Sequence, residues 1–122
     1  MPTMIFEFKD PWDGWKNEGF FKIGRYQDGG RIAISIYARR KDDPQDFFQP
    51  YCSVTVNLPN RELANKDEFG FVDVNNAPWL EGFLTSKGFG MPTSRFATSG
   101  FCNYPEFFFN IKKMKYYRLE GV

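Results

Sequence analysis

At 122 residues the chain is long enough for one domain with a real core, read here as a single domain spanning 1–122. Its formal net charge is +1, so no whole-molecule field points to nucleic acid or to a membrane surface. It contains no histidine, which removes the commonest general base, the Ser-His and Cys-His nucleophile pairs and most zinc sites.

No stretch reads as a signal peptide, and no apolar run approaches the ~20 residues of a bilayer span. The expectation is a soluble, cytoplasmic protein with no cofactor, no metal ligand set and no catalytic constellation. Fifteen Phe, six Tyr and three Trp make up 20% of the chain. Such a load fills a small β-rich core and leaves rings over for the surface, where they anchor interfaces.

In chain order, Thr3–Lys9 alternates as a first strand, with Met4, Phe6 and Phe8 on one face and Ile5 on the other. Asp10-Pro11-Trp12-Asp13-Gly14-Trp15 is a turn-rich connector carrying two tryptophans. Phe20–Gln27 and Arg31–Arg39 flank Asp28-Gly29-Gly30, whose glycines supply the positive φ angles of a tight hairpin. On the second arm Ile32, Ile34, Ile36 and Ala38 face one way, which predicts a sheet with one core face and one wet face.

Arg40–Pro50 reads as a polar loop; its adjacent Asp42 and Asp43 lack a third ligand at a sensible spacing for metal. Tyr51–Leu58 alternates again, with Cys52, Val54, Val56 and Leu58 inward. Pro59–Glu68 is a charged loop, and Phe69–Val74 a short strand. The cysteines, Cys52 and Cys102, are expected as free buried thiols, a disulfide being the alternative if their strands are neighbours.

One helix is expected over about 77–87. Asn76 is placed to cap it and Pro78 to sit in its first turn. Trp79, Leu80, Phe83 and Leu84 form an apolar stripe, and Gly88 stands at the C′ position. Gly88–Gly100 reads as a long loop of glycines, hydroxyls and Arg95. It is either a packed structural loop or a cradle for a phosphate or carboxylate. Phe101–Tyr104 and Phe107–Ile111 read as strand interrupted by Pro105. Lys113–Leu119 closes the chain as a strand of interleaved basic and aromatic residues. It is either a lysine-protected sheet edge or a platform for single-stranded nucleic acid. The sum is an α+β fold: a mostly antiparallel sheet of about five to seven strands with one helix packed on it.

Charge is uneven. Residues 62–81 carry five acids (Glu62, Asp67, Glu68, Asp73, Glu81) and one base, whereas six of the seven charges between 87 and 118 are positive. A partner-binding surface is expected from Arg95 together with Lys112, Lys113, Lys115, Tyr116 and Arg118 of the final strand, since arginine and tyrosine are enriched at interface hot spots. The acidic 62–81 segment is the alternative. An apolar contact through Trp12, Trp15 and Phe89 is the third. A cleft formed by Glu81, Asp73 and Arg95 is the arrangement an enzyme would use, but their spacing does not require it.

Val54-Thr55-Val56-Asn57-Leu58-Pro59, Asn75-Asn76, Gly90-Met91-Pro92-Thr93, Ser99-Gly100-Phe101 and Tyr104-Pro105-Glu106-Phe107 together resemble a family of small, uncharacterised proteins. That family is carried on phages, plasmids and conjugative elements of Gram-positive bacteria. The resemblance covers roughly the second half of the chain, without the N-terminal hairpin. It implies an accessory protein of a mobile element acting inside the host bacterial cell. By association it implies a non-enzymatic, anti-CRISPR-like or other anti-defence inhibitor that binds a protein partner, probed first at a defence nuclease. Binding of single-stranded nucleic acid along the final strand is the alternative.

Overall fold

The computed structural model describes residues 4–43 and 45–118. Thr3, Pro44 and Leu119, which the sequence places in the first strand, a loop and the last strand, lie outside them. Two four-stranded antiparallel sheets replace the single sheet of five to seven strands, and two short helices replace one.

Sheet 1 has the order β1-β2-β3-β4, from Phe6–Lys9, Lys16–Arg25, Ile32–Arg40 and Gln49–Ser53. The β2–β3 hairpin turns where expected, with φ of 89° at Gly29 and 65° at Gly30. Ile32, Ile34, Ile36 and Ala38 are all buried, as their alternation predicts. Gly19 is required by close approach: a Cβ there would lie 2.7 Å from the carbonyl oxygen of Tyr37 on β3.

Sheet 2 has the order β5-β6-β8-β7, from Thr55–Val56, Phe69–Val72, Cys102–Phe109 and Gly90–Ser99. The expected Tyr51–Leu58 strand is divided between the sheets. At Val54 the N–H donates to Ile34 O of β3 (2.8 Å), while its carbonyl accepts from Asp73 N just past β6 (2.9 Å). Thr55 then points inward beside Val54, breaking the alternation. Its Oγ1 accepts from Ile34 N at 3.0 Å, so the hydroxyl takes a ladder position in sheet 1.

The stretch expected as a long loop, Gly88–Gly100, is instead the edge strand β7. A bulge hides it: Pro92 pairs with Phe107 and Phe96 with Pro105, so β7 carries two extra residues there, and Ser94 takes a φ of 74°. Pro105 does not interrupt β8. It sits beyond the residues that β6 pairs and opposite the end of the bulge, where a missing N–H is tolerated.

Helix α1 spans Leu80–Lys87, shorter than expected. Asn76 does not cap it; its Nδ2 donates to Asp73 Oδ2 (3.0 Å), and turns at 74–76 and 78–79 delay the start. The far end follows the sequence, with Gly88 at φ 72°. The expected final strand is helical: α2 covers Ile111–Met114, capped by Asn110 Oδ1 accepting from Lys113 N (3.1 Å), and a 3₁₀ turn follows at Lys115–Tyr117. Its basic and aromatic alternation reflects side chains around a short helix, not the two faces of a strand.

The core is aromatic. Phe83 of α1 packs against Phe6, Phe8, Trp79 and Phe89 with ring centroids 5.3–6.0 Å apart. Phe107 and Phe109 of β8 join the same buried cluster as Phe21 and the β3 isoleucines. The Phe83→Ala variant is expected to lose roughly 3–5 kcal/mol of stability in chemical denaturation; a loss below about 1 kcal/mol excludes this packing.

Candidate partner-binding surfaces

The six residues expected to form a patch are divided. Arg95 lies on the β7 bulge, where its Nε is 3.6 Å from Glu106 Oε1. Glu106 is only 1% exposed. It also accepts from Thr93 Oγ1 at 2.7 Å and from Ala64 N at 3.3 Å. Thr93 and Arg95 therefore serve a carboxylate of their own chain, and the cradle for an external anion is not formed. Asp73 is buried beside Asn76, so the Glu81, Asp73 and Arg95 cleft does not form either.

Lys112, Lys113, Lys115, Tyr116 and Arg118 follow the Phe109 end of β8, on α2, the 3₁₀ turn and the residue after it, whereas Arg95 lies within the β7 bulge. Lys113 is committed: its Nζ donates to Lys87 O, completing the end of α1, and lies 5.2 Å from the centroid of the Phe89 ring. Arg118 and Lys115 border a groove with Asp67 and Glu68, so basic and acidic segments face one another there. Lys112, Lys115 and Tyr116 remain exposed.

The acidic alternative is also broken up. Asp67 pairs with Arg25 at 2.6 Å. The loop that carries Glu62 is held by arginines on backbone carbonyls. Arg31 donates to Leu58 O (2.7 Å) and Arg61 O (2.5 Å), and Arg61 donates to Thr98 O (3.1 and 3.0 Å).

One cluster of exposed rings lies at one end of sheet 1, where the β1–β2 turn and the β3–β4 loop adjoin; Met91, Phe96 and Phe101 of the β7–β8 hairpin are exposed as well. Trp12 is 87% and Phe47 79% exposed, and Trp15 is also exposed; Phe89, named with the tryptophans from sequence, is core. The turn is fixed from within. Asp10 Oδ1 accepts from Trp12 N (2.8 Å) and Asp13 N (3.3 Å), and Asp13 Oδ1 from Trp15 N (2.7 Å). Tyr51 donates its hydroxyl to Asp10 Oδ2 at 2.5 Å, tying the turn to β4. The Arg40 guanidinium stands 4.5 Å from the Trp15 ring centroid. On the neighbouring loop Asp46 accepts from Arg40 N (2.7 Å) and from Phe47 N (3.0 Å). Aspartates before and after tryptophans, at turn spacing, are the signal for this arrangement.

The Tyr51 hydroxyl, aided by the backbone N–H groups of Trp12 and Asp13, holds the Asp10 carboxyl below its ordinary value of 3.8, against the burial that raises it. Burial and the same hydrogen bond push the Tyr51 phenol up. Cys52 and Cys102 are free thiols, as expected, in different sheets, but both are half-buried rather than buried. Burial, then Asp73, pushes the Cys52 thiol up to about 12, so it stays protonated and unreactive at neutral pH.

Among the described residues no helix is long and apolar enough to cross a membrane, and no three Cys, Asp or Glu side chains are placed to hold a metal ion. Fold and surface thus define a small two-sheet α+β protein with rigid, aromatic-tipped turns. The chain belongs to the family described as a domain of unknown function (DUF4313), which matches residues 20–122. That range takes in most of the β2–β3 hairpin, from Phe20 on, which the sequence resemblance leaves out. No curated protein and no solved structure matches the chain.

A depressed carboxyl contributes stability above its unfolded value and loses it as pH falls through the folded one. Tyr51→Phe is therefore expected to unfold more easily than the parent at pH 7, with the gap closing as pH drops below about 3.8. A gap that is constant from pH 7 to about pH 2 shows that the hydroxyl acts through packing alone.

Proposed function

We propose that this protein is a non-catalytic binding protein that acts by stoichiometric contact with a protein partner in the cytoplasm of a bacterial host. The observation that carries this reading is the β1–β2 turn. Its backbone is locked by two aspartates, a tyrosine and a stacked arginine, yet it holds Trp12 almost wholly in water. A rigid turn loses little conformational entropy on binding, so exposed rings on it yield contact energy at low cost. Trp and Arg are the residues that most often dominate such contacts. Trp12, Trp15 and Phe47 form the anchor. Lys112, Lys115 and Tyr116 of the sequence-derived set supply a second, peripheral contact, while Lys113 and Arg95 act within the chain.

The resemblance to proteins of phages, plasmids and conjugative elements supports a partner of the defence machinery, and a CRISPR-type nuclease is the first to test. The chain has no acidic excess with which to imitate DNA as a whole, so the reading rests on a shaped aromatic contact.

The test is a titration of the protein into DNA cleavage by CRISPR effectors reconstituted from Gram-positive hosts. Cleavage is expected to stop near a one-to-one molar ratio. The double variant Trp12→Ala with Phe47→Ala touches no core residue and should need at least about tenfold more protein. Cleavage that persists at about tenfold excess against each effector overturns the nuclease as partner. Full potency of the double variant, with loss in Lys112→Glu/Lys115→Glu, moves the anchor to α2.

A further inference from the structure

Away from the aromatic tip, the outer face of sheet 1 carries a shallow groove of about 330 Å³. Its floor is made of small residues on three adjacent strands, Gly24, Ala33, Ser35 and Ser53, which lowers the middle of the sheet. Tyr37, Tyr26, Lys22 and Arg25 stand around it. Lys22 and Arg25 are the only charged side chains that line it, and no carboxylate does among the described residues. The Arg25 guanidinium is engaged by Gly30 O (3.0 Å), Lys66 O (3.4 Å) and Asp67 (2.6 Å), so Lys22 is the cation that the groove offers a ligand. Arg39, further along the same face, is occupied by Glu18 at 2.7 Å.

The rings are held in place. Tyr37 stacks on Phe20 (centroids 5.4 Å apart, planes 24° apart), and Phe20 is buried on this outer face against Phe48. Tyr26 is fixed through its hydroxyl, which lies 2.9 Å from Thr55 Oγ1. The Lys22 ammonium lies 5.9 Å from the Tyr37 ring centroid, so a cation and an aromatic face adjoin within the span of one nucleotide.

We infer that this face binds single-stranded nucleic acid. The inference is independent of the protein contact proposed above, and it uses a different surface from the C-terminal segment, whose helical form offers no sheet platform. Positive charge without acid selects a phosphate backbone, the tyrosines stack bases in a sequence-tolerant way, and the low floor admits flat rings. A duplex keeps its bases stacked inside and cannot offer them to Tyr37.

The test is fluorescence anisotropy of the intact protein with labelled oligo-dT and oligo-U of about ten nucleotides, at about 50 and 200 mM salt. Both strands are expected to bind, with a log–log salt slope of about −0.7 for the one phosphate that Lys22 meets. Tyr37→Ala and Lys22→Glu should each weaken binding about tenfold. Tyr37 supports Phe20, so Ser35→Glu, which places a carboxylate on the half-exposed floor, provides a second route to the same loss, with folding checked by circular dichroism. Lys112→Glu/Lys115→Glu should bind like the parent. The inference is overturned by absence of binding at low salt, by equal affinity for a duplex of the same length, by a mononucleotide that binds as tightly as the oligomer, or by loss confined to the Lys112/Lys115 variant.

Discussion

Everything in this fold passes through one residue. Val54 donates to a strand of sheet 1 and accepts from the end of a strand of sheet 2, so two sheets share a single residue with no linker between them. The next residue completes the junction, because the Thr55 hydroxyl receives the Ile34 N–H that a continuing strand would have satisfied with its backbone. Both residues are fully buried, and an unpaired N–H or carbonyl there would cost the whole of its desolvation. The two sheets and the helix between them therefore enclose one core, with Phe107 and Phe109 of the second sheet meeting the isoleucines of the first.

The same economy governs the surface. Charged side chains are spent mainly on backbone groups of the chain itself: aspartates on the N–H groups of turns, arginines on the carbonyls of Leu58 in the 57–68 loop and Thr98 on β7, a lysine on the end of α1. Such charge-assisted bonds fix irregular segments that have no ladder of their own. Rigid turns then hold rings and cations in fixed places, which is what both proposed contacts need. The basic patch suggested by residue counts is dispersed for the same reason, since Arg95 and Lys113 are consumed locally.

What could be read from the sequence follows from how local its cause is. The Asp-Gly-Gly hairpin, the buried β3 alternation, the stripe of α1 and its terminal Gly88 each depend on neighbours within a few residues, and all four appear in the structure. The missed elements depend on distant partners. Tyr51–Leu58 looks like one strand because nothing near Val54 records that its two hydrogen bonds go to different sheets. Gly90–Ser99 looks like a loop because the bulge that serves buried Glu106 breaks its period. Lys113–Leu119 looks like a strand because four helical residues are too few to show a helical period. At the surface, the aspartate and tryptophan spacing of 10–15 was visible as a turn, but the exposure of Trp12 and burial of Phe89 are tertiary facts. The groove on sheet 1 needs three strands side by side and has no linear signature.

Strand β1 carries one more consequence. The family match starts at Phe20, within β2, so Phe6 and Phe8 fall outside it although their rings pack on Phe21, Phe83 and Trp79. The segment by which the family is recognised thus lacks two rings of this core. A fragment cut at that boundary loses β1 together with Lys16–Gly19, the part of β2 that β1 pairs; it bares the floor of the aromatic core and leaves Ala38–Arg40 of β3 without their partners, an unguarded strand edge beside an apolar surface. Excision at the family boundary, the natural choice for a minimal version, converts a packed interior into an aggregation site.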